Sequence, residues 1–247
     1  MIEQSSHPEF PNIVGMLEQR LGDQPFGQAL HNWEATIYSG LVIVALVLGA
    51  FLVSRRFAPI PGRLQAAVEL MVGTLDDFVC GIIGEKGRKV VPFIGTLFIY
   101  ILAMNLLGLV PFLKAATASL SVTAGLALCV FAYVQYTALK EFGFLGYLDH
   151  LAGRPRGVFA WSIVFPVMMF ALHVVSEIVR PMSLSLRLRS NIWGDDMLLA
   201  VLAGFGLKWF PIYFVNVVMV VMSSVIQALV FTLLTTVYFS LVLTDEH

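Results

Sequence analysis

Long apolar runs, with no alternating pattern between them, dominate the chain. Five stretches, 35–54, 90–113, 115–139, 157–176 and 209–244, contain no Asp, Glu, Lys or Arg. Each has the roughly 20 residues that a helix rising 1.5 Å per residue needs to cross about 30 Å of hydrocarbon, so each predicts a membrane pass. Between the first two, Leu64, Val68, Met71, Leu75, Phe78 and Ile82 recur every three or four positions, while Glu69, Asp76 and Asp77 fall elsewhere. This spacing predicts an amphipathic helix over 62–84, either lying on the membrane surface or packed on protein as an ordinary surface helix. Pro59 and Pro61 stop the first span before it. The expected fold class is all-α: a polytopic integral membrane protein of about five passes plus one amphipathic surface helix. Residues 1–34 read as a polar N-terminal arm; lacking a basic n-region, they do not resemble a cleaved signal peptide.

The last two segments differ from simple spans. The stretch 209–244 holds 36 uncharged residues, which as one helix measure roughly 54 Å. A straight helix of that length fits the hydrocarbon only at a tilt on the order of 55°, beyond the usual range for spans. Segment 159–206 is also overlong and carries charges in its middle. Together they predict a strongly tilted helical hairpin at the end of a single membrane domain, 35–247.

Composition agrees: 58% of residues are hydrophobic and 13% charged, against about 25% charged in soluble domains. The formal net charge of −1 leaves no basic excess to neutralise a phosphate backbone, so nucleic-acid binding is not expected. Arg55, Arg56, Arg63, Lys86, Arg88, Lys89, Lys140, Arg154 and Arg156 all fall on one side of the predicted spans. By the positive-inside rule that side is cytoplasmic, which puts the N-terminus outside and, after five passes, the C-terminus in the cytoplasm. Cys80 and Cys129 form no CxxC motif and read as small apolar packing residues, with no metal site or cofactor implied.

Charge inside the membrane is the informative exception. Projected at 100° per residue, His173, Glu177, Arg180, Ser183, Arg187, Asn191 and Asp195 fall within about 120° of arc, while Arg189 and Asp196 point nearly opposite. A charge at membrane depth costs about 2.5–3.5 kcal/mol on insertion scales, so such residues need partners or water and mark ion pathways by default. Bland readings stand beside this one: His173 as a packed histidine, Glu177 as an ion-pair partner of Arg180, and Arg180 as a snorkelling side chain. On the last helix Asn216, Ser223, Gln227 and Tyr238 share a face that suits the first stripe, or that serves only as interhelical glue.

The run from Glu177 to Asn191, Glu-Ile-Val-Arg-Pro-Met-Ser-Leu-Ser-Leu-Arg-Leu-Arg-Ser-Asn, resembles the signature of subunit a of the F-type ATP synthase membrane sector. Asn105-Leu-Leu-Gly-Leu-Val-Pro111 resembles the family's span end, residues 61–70 its surface helix, and residues 227–247 its C-terminal helix. The likeness covers roughly residues 36–247.

This resemblance implies a proton-translocating stator that binds no nucleotide. Its partners are then a rotating ring of c subunits, peripheral-stalk b subunits, the other ATP synthase subunits and membrane lipid, in a bacterial inner membrane. Two offset half-channels lead to the ring's carboxylate. Arg187 matches the family's essential arginine, Asn191 the asparagine after it, and Gln227 the glutamine beside that arginine. Asp196 and Ser183 match an acidic or histidine position and a small polar one, while Asp195, Glu177 and His173 are further candidates for the proton pathway. Three departures stand out: Arg189 where phenylalanine is common, Ser190 for a Gly or Ala, and Val220 where relatives often carry a titratable group. Arg189 is expected to stack on Trp193, one turn away, and to be drawn to Asp196. An ion-coupled secondary transporter is the alternative, although no inverted repeat is evident. A zinc hydrolase lacks the HExxH order.

Overall fold

In the computed structural model, which describes residues 25–55, 62–110, 116–151, 161–204 and 210–244, the apolar runs fold into helices. Within these, the side chains of His173, Glu177, Arg180 and Asp196 lie outside the description, as do the Lys114 and Lys208 turns. The order is α1 (Pro25–Ser54), α2 (Arg63–Ile83), a 3-10 turn (Glu85–Lys89), α3 (Val91–Leu107), a second 3-10 turn (Ala116–Ala118), α4 (Leu120–Leu151), α5 (Trp161–Gly204) and α6 (Phe210–Thr244). Trp33–Ser54, Leu120–Gly143 and Phe214–Leu243 are each long and apolar enough to cross a membrane, and Val91–Leu107 is a shorter apolar helix. α1 begins ten residues ahead of the first uncharged stretch, inside the segment that reads as a polar arm. α4 breaks at Gly143, whose φ of 67° is open to glycine and strained for other residues.

The distribution of polarity is that of a protein in lipid. Leu41, Val44, Val47, Leu48 and Leu52 on α1 stand exposed, while Thr232, Thr235 and Thr236 on α6 are fully buried. Each buried threonine donates its hydroxyl to the carbonyl one turn back, Thr232 to Ala228, Thr235 to Phe231 and Thr236 to Thr232, at 2.8–2.9 Å. That bond satisfies the hydroxyl inside the helix and lets neighbouring helices approach over a small side chain.

α3, at 17 residues, is too short for the full hydrocarbon thickness. The chain continues as a tight turn, with Gly108, Leu109 and Val110 N–H donating to the carbonyls of Asn105, Leu106 and Leu107. Backbone off the helix at this depth must be enclosed by protein. Here the Thr117 hydroxyl donates to Asn105 Oδ1 at 2.9 Å, with both residues buried, and Tyr38, Val42, Met104 and Ala116 close around them. The Asn105 motif that the sequence analysis marks as a span end is thus the clasp between α3 and the turn before α4.

α2 keeps most of the expected stripe, with Met71, Phe78 and Ile82 partly buried against the core. Its buried positions are Gln65, Leu75, Val79 and Ile83, and Val68 stays exposed. Leu75, Val79 and Ile83 join Ile94 of α3 and Phe239 and Leu243 of α6 in one core. The buried face extends beyond the stripe to Val79 and Ile83 because α3 and α6 pack against this helix. Gly87 closes the corner to α3, since a Cβ there would sit 2.8 Å from the Ile83 Cβ. On α2 the Cys80 thiol donates to Asp76 Oδ1 at 3.6 Å; desolvation first, then the facing carboxylate, push it above the ordinary thiol range. Cys129, expected to be packed, stands exposed on α4.

Three rings tie the bundle together. Phe93 of α3 stacks on Tyr133 of α4 with centroids 4.4 Å apart, and Phe239 of α6 meets them edge-on at 6.1 and 5.5 Å. This cluster anchors the C-terminal half of α6. Its N-terminal half is left to run along α5.

Candidate functional site

α5 has two faces that the sequence spacing sets apart. Leu184, Ser185, Leu188 and Ile192 are buried, and Ser183, Leu186, Arg187, Ser190, Asn191 and Gly194 are exposed on the other side. Arg187 therefore projects away from the bundle, and among the described residues it makes no ion pair. The positions one turn away from it are small, Ser183, Ser190 and Asn191, and Gly194 follows with nothing within 4 Å of a Cβ placed there. A guanidinium framed by such residues can be approached closely by another helix.

Beside the arginine α5 is bonded to α6. The Asn191 amide nitrogen donates to the Ser223 hydroxyl at 3.0 Å and lies 3.5 Å from Gln227 Oε1. Gln227 is 5% exposed, so this pairing meets a polar need inside the seam. One turn further along α5, Asp195 is half-buried, and its Oδ2 is buried without a hydrogen-bond partner. The structure thus brings Asn191 and Gln227 together across the α5–α6 seam, with Arg187 one turn before and Asp195 one turn after Asn191 along α5. Ser183 lies on the exposed face with Arg187. Of His173, Glu177 and Asp196 only the backbone within α5 is described.

Arg189 does not stack as expected. Among the described residues the cation–π contact is Arg55 over Phe51, at 4.4 Å, and Arg189 and Trp193 are each exposed. Behind the arginine, Pro181 removes one backbone donor from α5. It borders a small open cleft that Val130, Val134, Gln135, Leu184 and Tyr238 also line. Of the α6 face that carries Asn216, Ser223 and Gln227, expected either to meet the α5 stripe or to serve as glue, Ser223 and Gln227 meet Asn191.

A charged helix in an all-helical bundle, with its arginine turned outward and a polar seam at its side, defines a polytopic membrane protein. The family model described as ATP synthase A chain matches residues 36–240. Proteins called ATP synthase subunit a are similar over most of the chain: that of Protochlamydia amoebophila is 37% identical over 97% of this chain and 91% of its own length. Those of Solidesulfovibrio magneticus and Oleidesulfovibrio alaskensis are 37% and 35% identical, over 85% and 96% of this chain and 84% and 95% of their own. The chain belongs to the ATP synthase A chain family, the proton-translocating membrane subunit of that complex. It is an integral membrane component of an ATP synthase, and the secondary-transporter alternative is not favoured.

Proposed function

We propose that this chain is the stator half of a rotary proton path, with Arg187 as the fixed charge that separates two half-channels to a carboxylate on a ring of c subunits. The observation that carries the reading is the exposed Arg187 on the outer face of α5, flanked by small residues and braced by the bonds from Asn191 to α6. A carboxylate crossing lipid is neutral, because burying its ionised form costs far more than holding the proton. A guanidinium keeps its charge, and an opposite charge within about 4–6 Å lowers a carboxyl pKa by 1–3 units. The ring acid consequently ionises opposite Arg187 and is reprotonated once past it. At about 4 Å the attraction is of order 4 kcal/mol at an effective dielectric of 20, enough to localise release yet weak enough, with water competing, to let the ring move on. Lysine is the poorer choice, since it loses its proton more readily when desolvated.

In this reading Asp195, Asp196, Glu177, His173 and Ser183 line or relay the half-channels. The peripheral-stalk b subunits hold the chain against rotation, the N-terminus is outside, the C-terminus is cytoplasmic, and nucleotide chemistry belongs to the soluble subunits. The test is purification from its own membrane in mild detergent. The chain is expected to elute with an oligomer of small helical-hairpin proteins, and its isolation free of any such ring from membranes that contain one overturns the proposal. Arg189 has no part in this path, so Arg189→Phe is expected to keep most ATP-driven proton pumping. A loss as complete as that of an Arg187 variant, measured in the same vesicles, would reject that separation of roles.

A further inference from the structure

Arg187 occupies one exposed face of α5, and a second exposed face lies nearly opposite. Arg189 is two residues on, about 200° around the helix, and Val175, Met182, Leu186 and Trp193 fall within about 60° of it. All five are exposed. The remaining side of the helix, carrying Leu184, Leu188 and Ile192, is the one buried in the bundle, so nothing in this chain covers the strip. Among the described residues Arg189 makes no ion pair, hydrogen bond or ring contact. Asp196, the acid of α5 on the same face, lies seven residues away, beyond the three- or four-residue spacing at which helix side chains pair.

A cation on an apolar face against lipid is costly, and it needs an opposite charge or water. The strip supplies what an amphiphile with an anionic head requires. A guanidinium fork meets two phosphate oxygens at once, and its long stem lets the charge rise to headgroup level. Tryptophan suits the same boundary, with its ring among acyl chains and its N–H toward polar groups. From Arg189 back to Val175 the strip runs roughly 21 Å along the helix, more than the depth of one leaflet of a hydrocarbon core about 30 Å thick. We propose that this face of α5 binds an anionic phospholipid, with the phosphate held by Arg189 and by the Trp193 indole N–H, and an acyl chain laid along Leu186, Met182 and Val175. The lipid answers the second arginine on the side away from the first. Arg187 is then the only one of the two cations offered to a carboxylate on its own face. The inference needs α5 to lie in the membrane and is independent of the stator reading.

The test uses the intact complex, purified in mild detergent and washed free of loosely held lipid. Wild type is expected to retain phosphatidylglycerol, read by native mass spectrometry, and Arg189→Phe to lose it, whereas Lys140→Ala, which removes an exposed cation on α4, keeps it. Trp193→Phe, which keeps a ring and loses the N–H, is expected to hold the lipid roughly tenfold more weakly, the scale of one bond to a charged group. A ligand of the folded state also raises its melting point, so added phosphatidylglycerol is expected to raise the disassembly temperature of wild type and not of Arg189→Phe. Equal retention and an equal rise in Arg189→Phe overturn the proposal. So does a rise with inorganic phosphate alone, which makes the site one for a free anion, and so does loss from Arg189→Phe of a protein subunit in place of lipid. Where Arg189→Phe does not assemble, Arg189→Gln is read in the same way.

Discussion

Arg187→Ala is expected to abolish ATP-driven proton pumping while the soluble head of the complex continues to hydrolyse ATP. The substitution removes the one charge that makes a passing ring carboxylate give up its proton at a fixed place. An interaction of about 4 kcal/mol corresponds to a factor of order a thousand in an equilibrium or a rate, so the residual coupled flux falls below detection. Assembly is expected to survive, because the side chain is exposed and makes no ion pair among the described residues. Function and folding are thereby separated. Dye quenching in inverted vesicles reads the pumping and phosphate release reads the hydrolysis. Arg187→Lys retains the charge but not its permanence, and is expected to stay far below the wild-type rate.

The second large effect is structural. Phe239→Ala deletes a fully buried ring that touches both Phe93 and Tyr133, and so loosens α3, α4 and α6 at once. In a water-soluble core Phe→Ala costs 3–5 kcal/mol. In lipid the separated helix keeps its apolar surroundings, so the cavity and lost packing dominate, and about 3 kcal/mol is expected. Leu233→Ala, at a site 40% exposed, is the control and is expected to change little. Thermal disassembly of the detergent-purified complex compares the two. Equal midpoints would mean that the aromatic cluster does not hold α6 in place.

The contrast between these two residues shows what the chain makes legible. The membrane passes follow from runs without charge, since the hydrocarbon imposes length and polarity on any helix inside it. The Arg187 stripe follows from spacing, and the structure leaves Ser183, Arg187 and Asn191 of that stripe exposed together. The full width of the buried face of α2 did not follow: the amphipathic pattern places Met71, Leu75, Phe78 and Ile82 on it, and Val79 and Ile83 join them only because α3 and α6 supply a protein surface there. Phe239 is one of 19 phenylalanines, and nothing local distinguishes a ring that locks three helices from one that faces lipid. Stacking of Arg189 on Trp193 was a fair inference from one-turn spacing, yet both side chains are exposed, and proximity along a helix does not by itself bring a cation over a ring. Ser223 needed the register of α5 against α6, which depends on the whole bundle.

The central claim is that the Arg187 face of α5 lies against the rotor carboxylate, and disulfide trapping measures this most directly. A cysteine replacing the exposed Leu186 is paired, in the intact complex, with cysteines along the carboxylate-bearing helix of the ring subunit, and Val44→Cys on α1 serves as the distant control. Cross-links from position 186 centred on the level of that carboxylate, with none from position 44, are the predicted result. Cross-links from position 44 and none from position 186 would contradict the account.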